Sequence, residues 1–120
     1  MCGIFGVIAK EEKYNQKELV KILEDVAKLS QVRGKDSSGL AFRFESSHKI
    51  EVLRGPDSID ELMKTIEYKN FKEAVLIEGK EKNNNKIFAA LGHARLVTNG
   101  TQLEDENNQP VVKDGIVGIH

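Results

Sequence analysis

The chain opens with Met1-Cys2-Gly3-Ile4-Phe5-Gly6-Val7-Ile8-Ala9, and how these residues are read decides the fold. Ile4, Phe5, Val7 and Ile8 follow one another without a regular polar alternation, and Lys10, Glu11, Glu12 and Lys13 end the run. A short apolar run of this kind predicts a strand buried on both faces. The run is too short for a secretory signal peptide and meets its first lysine only at Lys10, so it is expected to be structural. Gly3 and Gly6 leave room for another backbone, or a ligand, to approach that strand.

Working outward, Asn15 caps a predicted helix. Its apolar positions Leu19, Ile22, Leu23, Val26 and Leu29 recur at three- and four-residue steps, with Lys17, Lys21, Glu24, Asp25 and Lys28 between them. Gly34, Ser37, Ser38 and Gly39 mark a turn-rich loop. After it Leu40, Phe42 and Phe44 alternate with Ala41, Arg43 and Glu45, the period of a strand. Ser46 to His48 separate this strand from a second one at Ile50 to Leu53, which predicts a hairpin. Ser58 followed by Glu61 is a capping box for a shorter helix carrying Ile59, Leu62, Met63 and Ile66. Phe71 to Ile77 fits either a buried strand or a helix, and Glu78 to Lys86 reads as a polar loop. A strand is expected over Ile87 to Gly92, a long polar loop over Asn99 to Gln109, and a buried strand over Gly115 to Ile119. Strands interrupted by two amphipathic helices imply a layered α/β or α+β domain. His120 ends the chain on that last strand with no returning element, so the chain reads as the first part of a larger domain.

Composition narrows the function. The 120 residues carry 18 Lys plus Arg and 19 Asp plus Glu, a net charge of −1. That balance argues against a nucleic-acid binder and against a membrane-surface binder. One cysteine forms no internal disulfide, which points to a reducing cytoplasm. One cysteine and the scattered His48, His93 and His120 show no metal-ligand spacing, so no metal and no cofactor is expected.

Cys2 is the first candidate for chemistry. A cysteine directly behind the initiator methionine allows Met1 to be removed, which leaves a thiol and a free α-amine on one residue. An α-amine titrates at roughly 7.7 to 8.0, so near neutral pH part of it is an unprotonated base beside its own nucleophile. The alternative is a small buried hydrophobe. Arg33-Gly34-Lys35-Asp36-Ser37-Ser38-Gly39 reads either as an anion-binding or N-terminus-holding loop or as a plain helix exit. In Gly92-His93-Ala94-Arg95-Leu96-Val97-Thr98-Asn99-Gly100, Arg95 can clamp a carboxylate in bidentate fashion while Thr98 and Asn99 offer neutral hydrogen bonds. The bland reading there is a strand, a turn and a surface arginine.

Taken together with Asn108-Gln109-Pro110, these segments have the order and spacing found in the class II glutamine amidotransferases. The chain resembles the first part of the glutaminase domain of that family of N-terminal-nucleophile hydrolases. The resemblance implies an α+β fold, a four-layer αββα sandwich left incomplete at 120 residues. It implies hydrolysis of the glutamine side-chain amide, with ammonia passed to a separate synthase domain or subunit. Cys2 then matches the nucleophile and its α-amine the base. Arg95 matches the arginine that binds the glutamine α-carboxylate, Thr98 and Asn99 fall on a substrate-binding turn, and Arg33, Gly34 and Asp36 fall on the supporting loop. The loop is nearest the glucosamine-6-phosphate synthase type, with the phosphoribosyl-pyrophosphate amidotransferases as the alternative. Leu96 stands where an aromatic residue is usual in the family, and Asn99 where the sugar enzymes have histidine, which leaves the acceptor substrate open. The family's oxyanion-hole Asn-Gly would follow His120. The 120-residue chain alone is therefore expected to be a poor glutaminase, since one oxyanion donor is worth on the order of 10² to 10³ in rate. Two other readings compete: a Cys-His thiol hydrolase using His93 or His120 as base, and a non-catalytic glutamine-binding or assembly module. The resemblance names L-glutamine and the synthase domain as partners, with a homo-oligomeric parent allowed.

Overall fold

Asn15 starts the first helix as its sequence predicts: the Asn15 side chain accepts from the Glu18 backbone N–H at 2.8 Å. In the computed structural model, which describes residues 2–9, 15–45, 47–80, 87–96 and 108–119, the elements follow in this order. Strand β1 spans Gly3–Ile8, helix α1 Gln16–Ser30, a 3-10 turn Gln31–Arg33, β2 Ser37–Phe44 and β3 Ile50–Gly55. Helices α2 (Ile59–Lys64) and α3 (Ile66–Lys80) come next, then β4 (Ile87–Arg95), β5 (Val111–Lys113) and β6 (Ile116–Gly118).

The fold is α+β, built on a four-stranded antiparallel sheet in the order β1-β4-β2-β3. The predicted β2–β3 hairpin forms, and β4 inserts between it and the N-terminal strand. The two chain segments that carry the candidate chemistry thus become neighbours of one central strand. Helices α1, α2 and α3 pack against one face of the sheet. There Phe5, Leu40, Phe42, Phe44, Ala90 and Ala94 meet Leu19, Leu23, Ala27, Tyr68 and Val75 in one core cluster. The rings of Phe42 and Phe71 meet at a 48° tilt with 5.3 Å between their centroids. Two polar ties brace the helical layer. Tyr68 and Lys72 on α3 both donate to the Glu24 carboxylate on α1, at 2.6 and 2.8 Å. Gln31 donates to Asp60 at 2.7 Å. The opposite face carries the β5–β6 ribbon, with an open cavity of about 340 Å³ between the ribbon and Ala41, Arg43, Ile50, Ala89 and Leu91.

Several expectations need correction. β1 is an edge strand, and Ile4 (54% exposed) and Ile8 (75%) lie on the face opposite Phe5, which the helices do not cover. On α1 the buried stripe is Leu19, Val20, Leu23 and Ala27, and Ile22 and Leu29 face outward. The ambiguous Phe71 to Ile77 is helical, inside α3. The Ser58 cap forms, with the Glu61 N–H donating to Ser58 Oγ at 3.3 Å, but α2 stops at Lys64. Thr65 then caps α3 through the Tyr68 N–H at 3.1 Å, which puts Ile66 in a new helix and exposes it. β4 runs three residues further than Gly92, to Arg95. The final run is an exposed ribbon strand, Ile116–Gly118, and not a buried one.

Candidate active site

β4 ends in Ala94-Arg95, and the register of its two neighbours decides what stands beside that end. Gly3 pairs with Ala94 on one side and Ser37 pairs with Arg95 on the other. Cys2, one residue before Gly3, therefore comes alongside Arg95, and its Sγ lies 3.7 Å from the Leu96 carbonyl oxygen as a donor. Cys2 is half-buried. Arg95 is only 8% exposed, so the surface-arginine reading of that residue fails. Directly paired residues on antiparallel strands share a face of the sheet. Ser37 and Arg95 thus share one face with His93, which stands two residues back along β4 and is fully buried.

The Arg33–Gly39 segment wraps this strand end. The Asp36 N–H donates to the Arg95 carbonyl oxygen at 3.0 Å. At Gly34 a Cβ atom would fall 2.3 Å from the Arg95 carbonyl carbon and 2.4 Å from the Leu96 nitrogen, so only glycine admits this close approach. Arg33 ends the 3-10 turn that leads into the loop. The segment forms a clasp on the end of β4.

The third component is Asn108-Gln109-Pro110, which crosses β2 at Gly39. A Cβ on Gly39 would overlap the Gln109 carbonyl oxygen at 1.8 Å. Asn108 and Gln109 are buried, and the Gln109–Pro110 peptide is cis. Arg54 of β3 holds the crossing in place, donating to the carbonyl oxygens of Pro110 at 3.0 Å and Asn108 at 3.4 Å. Next to it, Ser38 Oγ donates to the Asp57 carbonyl oxygen at 2.7 Å.

The structure thus brings together Cys2, Arg95 and the Arg33, Gly34 and Asp36 loop at one end of the sheet. Thr98 and Asn99, expected on the substrate-binding turn, lie outside the described residues, as does His120. His48 sits in the β2–β3 turn with φ 55°, facing Arg43 at 3.4 Å, far along the strand from Cys2. Among the described residues no group of three or more His, Cys, Asp or Glu side chains could hold a metal ion. The same residues contain no helix long and apolar enough to cross a membrane. Sequence reasoning passed over Ser37, Arg54 and the burial of His93. Their placement depends on which strand pairs with which, and a single sequence does not display that pairing.

No protein-family model matches the chain, and no curated protein matches it. Among solved structures it is similar to a chain of one described as "Complex of beta-clamp processivity factor and little finger domain of PolIV". The TM-score is 0.52 at 11% sequence identity, over 87% of this chain and 96% of that one. At such low identity the likeness concerns only the arrangement of helices and strands.

Proposed function

We propose that the chain is the leading part of a class II glutamine amidotransferase glutaminase domain. In that reading Cys2 cleaves the side-chain amide of L-glutamine and ammonia goes to an acceptor, a sugar phosphate by the nearest resemblance. One observation supports it most: Cys2, the Arg33–Gly39 loop, Arg95 and the Asn108–Pro110 crossing, far apart in sequence, meet at one end of the sheet. Chance motifs have no reason to share one strand end.

The chemistry follows from the residues. Once Met1 is removed, the α-amine of Cys2 takes the thiol proton and the thiolate attacks the amide carbon of glutamine. The C–N bond breaks, the amine's proton leaves with ammonia, and a thioester to Cys2 remains. Water then releases glutamate and restores the thiol. Arg95, buried beside Cys2, holds the α-carboxylate with paired N–H donors and so sets how far the amide reaches toward Sγ. Thr98 and Asn99 complete the grip on glutamine. The four-layer αββα sandwich belongs to this proposal as well: the helical layer and the main sheet supply two layers, and the β5–β6 side is where the second sheet would stack.

A glutamine-derived diazo-ketone applied to the natural-length protein tests the reading. Peptide mass spectrometry is expected to find the adduct on Cys2 with Met1 absent. A protein carrying an extra residue ahead of Cys2 should not be labelled, whereas a Cys-His hydrolase would tolerate that residue. No adduct on the processed protein would overturn the proposal in favour of a non-catalytic module.

A further inference from the structure

Ser37 and Ser38 are adjacent and equally buried, yet their hydroxyls are used differently. Ser38 Oγ donates to the Asp57 carbonyl oxygen at 2.7 Å. Ser37 is 1% exposed, and its Oγ has no hydrogen-bond partner among the described residues. A buried hydroxyl without a partner is unfavourable, and alanine would fill nearly the same space without that cost. Serine at this position therefore calls for something the protein binds.

The register indicates what that is. Ser37 is the direct partner of Arg95 across β2 and β4, and the two side chains share one face of the sheet. Cys2 lies on the other side of Arg95, next to the Gly3–Ala94 pair. The order across the strand end is nucleophile, guanidinium, hydroxyl. A ligand with a reactive group at Cys2 and an anionic group at Arg95 brings that anion up to Ser37.

We infer that Ser37 is a specificity-determining residue whose hydroxyl donates to the carboxylate held by Arg95. This inference rests on the proposed glutaminase reading. A hydroxyl donor to a carboxylate makes a charge-assisted hydrogen bond, stronger than a neutral one. Ser37 and Arg95 then bind the two carboxylate oxygens from adjacent strands, and the reach from that anchor to Cys2 selects for the length of glutamine.

The test compares Ser37→Ala and Ser37→Thr with the unsubstituted natural-length protein. Cys2 is labelled with the glutamine-derived diazo-ketone over a concentration series, and separately with iodoacetamide, which carries no carboxylate. Ser37→Ala is expected to raise the half-saturating diazo-ketone concentration roughly tenfold, the size of one charged hydrogen bond. Its iodoacetamide rate should not change, and its melting temperature should be equal or higher, since no hydrogen bond among the described residues is lost. Ser37→Thr, which keeps the hydroxyl, is expected to restore half-saturation to within about threefold. An unchanged half-saturation in Ser37→Ala, or a variant that loses stability or fails to fold, would assign the hydroxyl a structural role and overturn the inference. If the unsubstituted protein takes iodoacetamide at Cys2 but never the diazo-ketone, the glutaminase reading fails, and this inference fails with it.

Discussion

The two ends of the sheet bury different chemistry. At one end Phe42, Phe44, Ile87 and Ala90 pack under α1 and α3 with Leu19, Val20 and Leu23, nearly all carbon. At the other end, within a few residues of Arg95, the sheet buries Ser37, Ser38, His93, Asn108 and Gln109. Hydrophobic composition accounts for the first end without further assumption, because any folding chain removes its carbon from water. It does not account for the second, where each buried polar group must be matched by a partner or impose a cost. The apolar end provides stability, and the polar end is where the proposed glutamine site would lie.

Substitutions that separate the two ends test the contrast. The largest stability effect is expected at the apolar end: Phe44→Ala removes a fully buried ring and should lower unfolding free energy by about 3–5 kcal/mol in denaturant titration. Gly39→Ala acts at the polar end. Its Cβ cannot coexist with the Gln109 carbonyl oxygen, so the Asn108–Pro110 crossing must move, at a cost of about 1–3 kcal/mol. Diazo-ketone labelling of Cys2 should fall with Gly39→Ala by more than its stability loss explains, whereas Phe44→Ala should impair labelling only where it unfolds the chain.

Between the ends, the tie from α3 to Glu24 gives the helical layer a pH signature. Burial raises the Glu24 carboxyl, but the hydrogen bonds from Lys72 and Tyr68 outweigh it and hold the group below the ordinary carboxylate value of 4.5. A lowered folded value means that the contribution is complete above the ordinary value and is lost as pH falls through the folded one. Tyr68 is raised from 10.0 by burial and by the neighbouring Glu24, so its contribution is present below that value and is lost only in strong alkali. Tyr68→Phe should therefore cost about 1–2 kcal/mol at neutral pH and flatten the acid limb of a thermal-stability profile. An unaltered acid limb would mean that Tyr68 does not control Glu24. The smallest effect belongs to Gly118→Ala, where a Cβ meets nothing within 4 Å and stability should stay within about 0.5 kcal/mol.

Local signals were legible wherever a side chain bonds to its own neighbourhood. The Asn15 and Ser58 caps and the β2–β3 hairpin depend on residues within a few positions of one another, and all three form. Burial was not legible where it depends on sheet order. Ile4 and Ile8 resemble core residues in sequence, and they are exposed because, on the edge strand β1, the helices cover only the opposite face, where Phe5 lies. Ile22 and Leu29 keep the helical period but lie outside the stripe that the sheet happens to cover. The same limit applies to the site. Cys2 and Arg95 are candidates that their residue types announce, whereas Ser37 becomes one only through the Arg95 pairing, which β4 supplies from nearly sixty residues away.

In the proposed site, Arg95 directs a carboxylate-bearing substrate to Cys2. The most direct measurement is the ratio of diazo-ketone to iodoacetamide labelling rates at Cys2, taken in the processed natural-length protein and in Arg95→Met. A guiding Arg95 predicts that the ratio falls on the order of a hundredfold with iodoacetamide labelling unchanged, the loss expected for a bidentate charged contact. A ratio that does not change in Arg95→Met would contradict the claim.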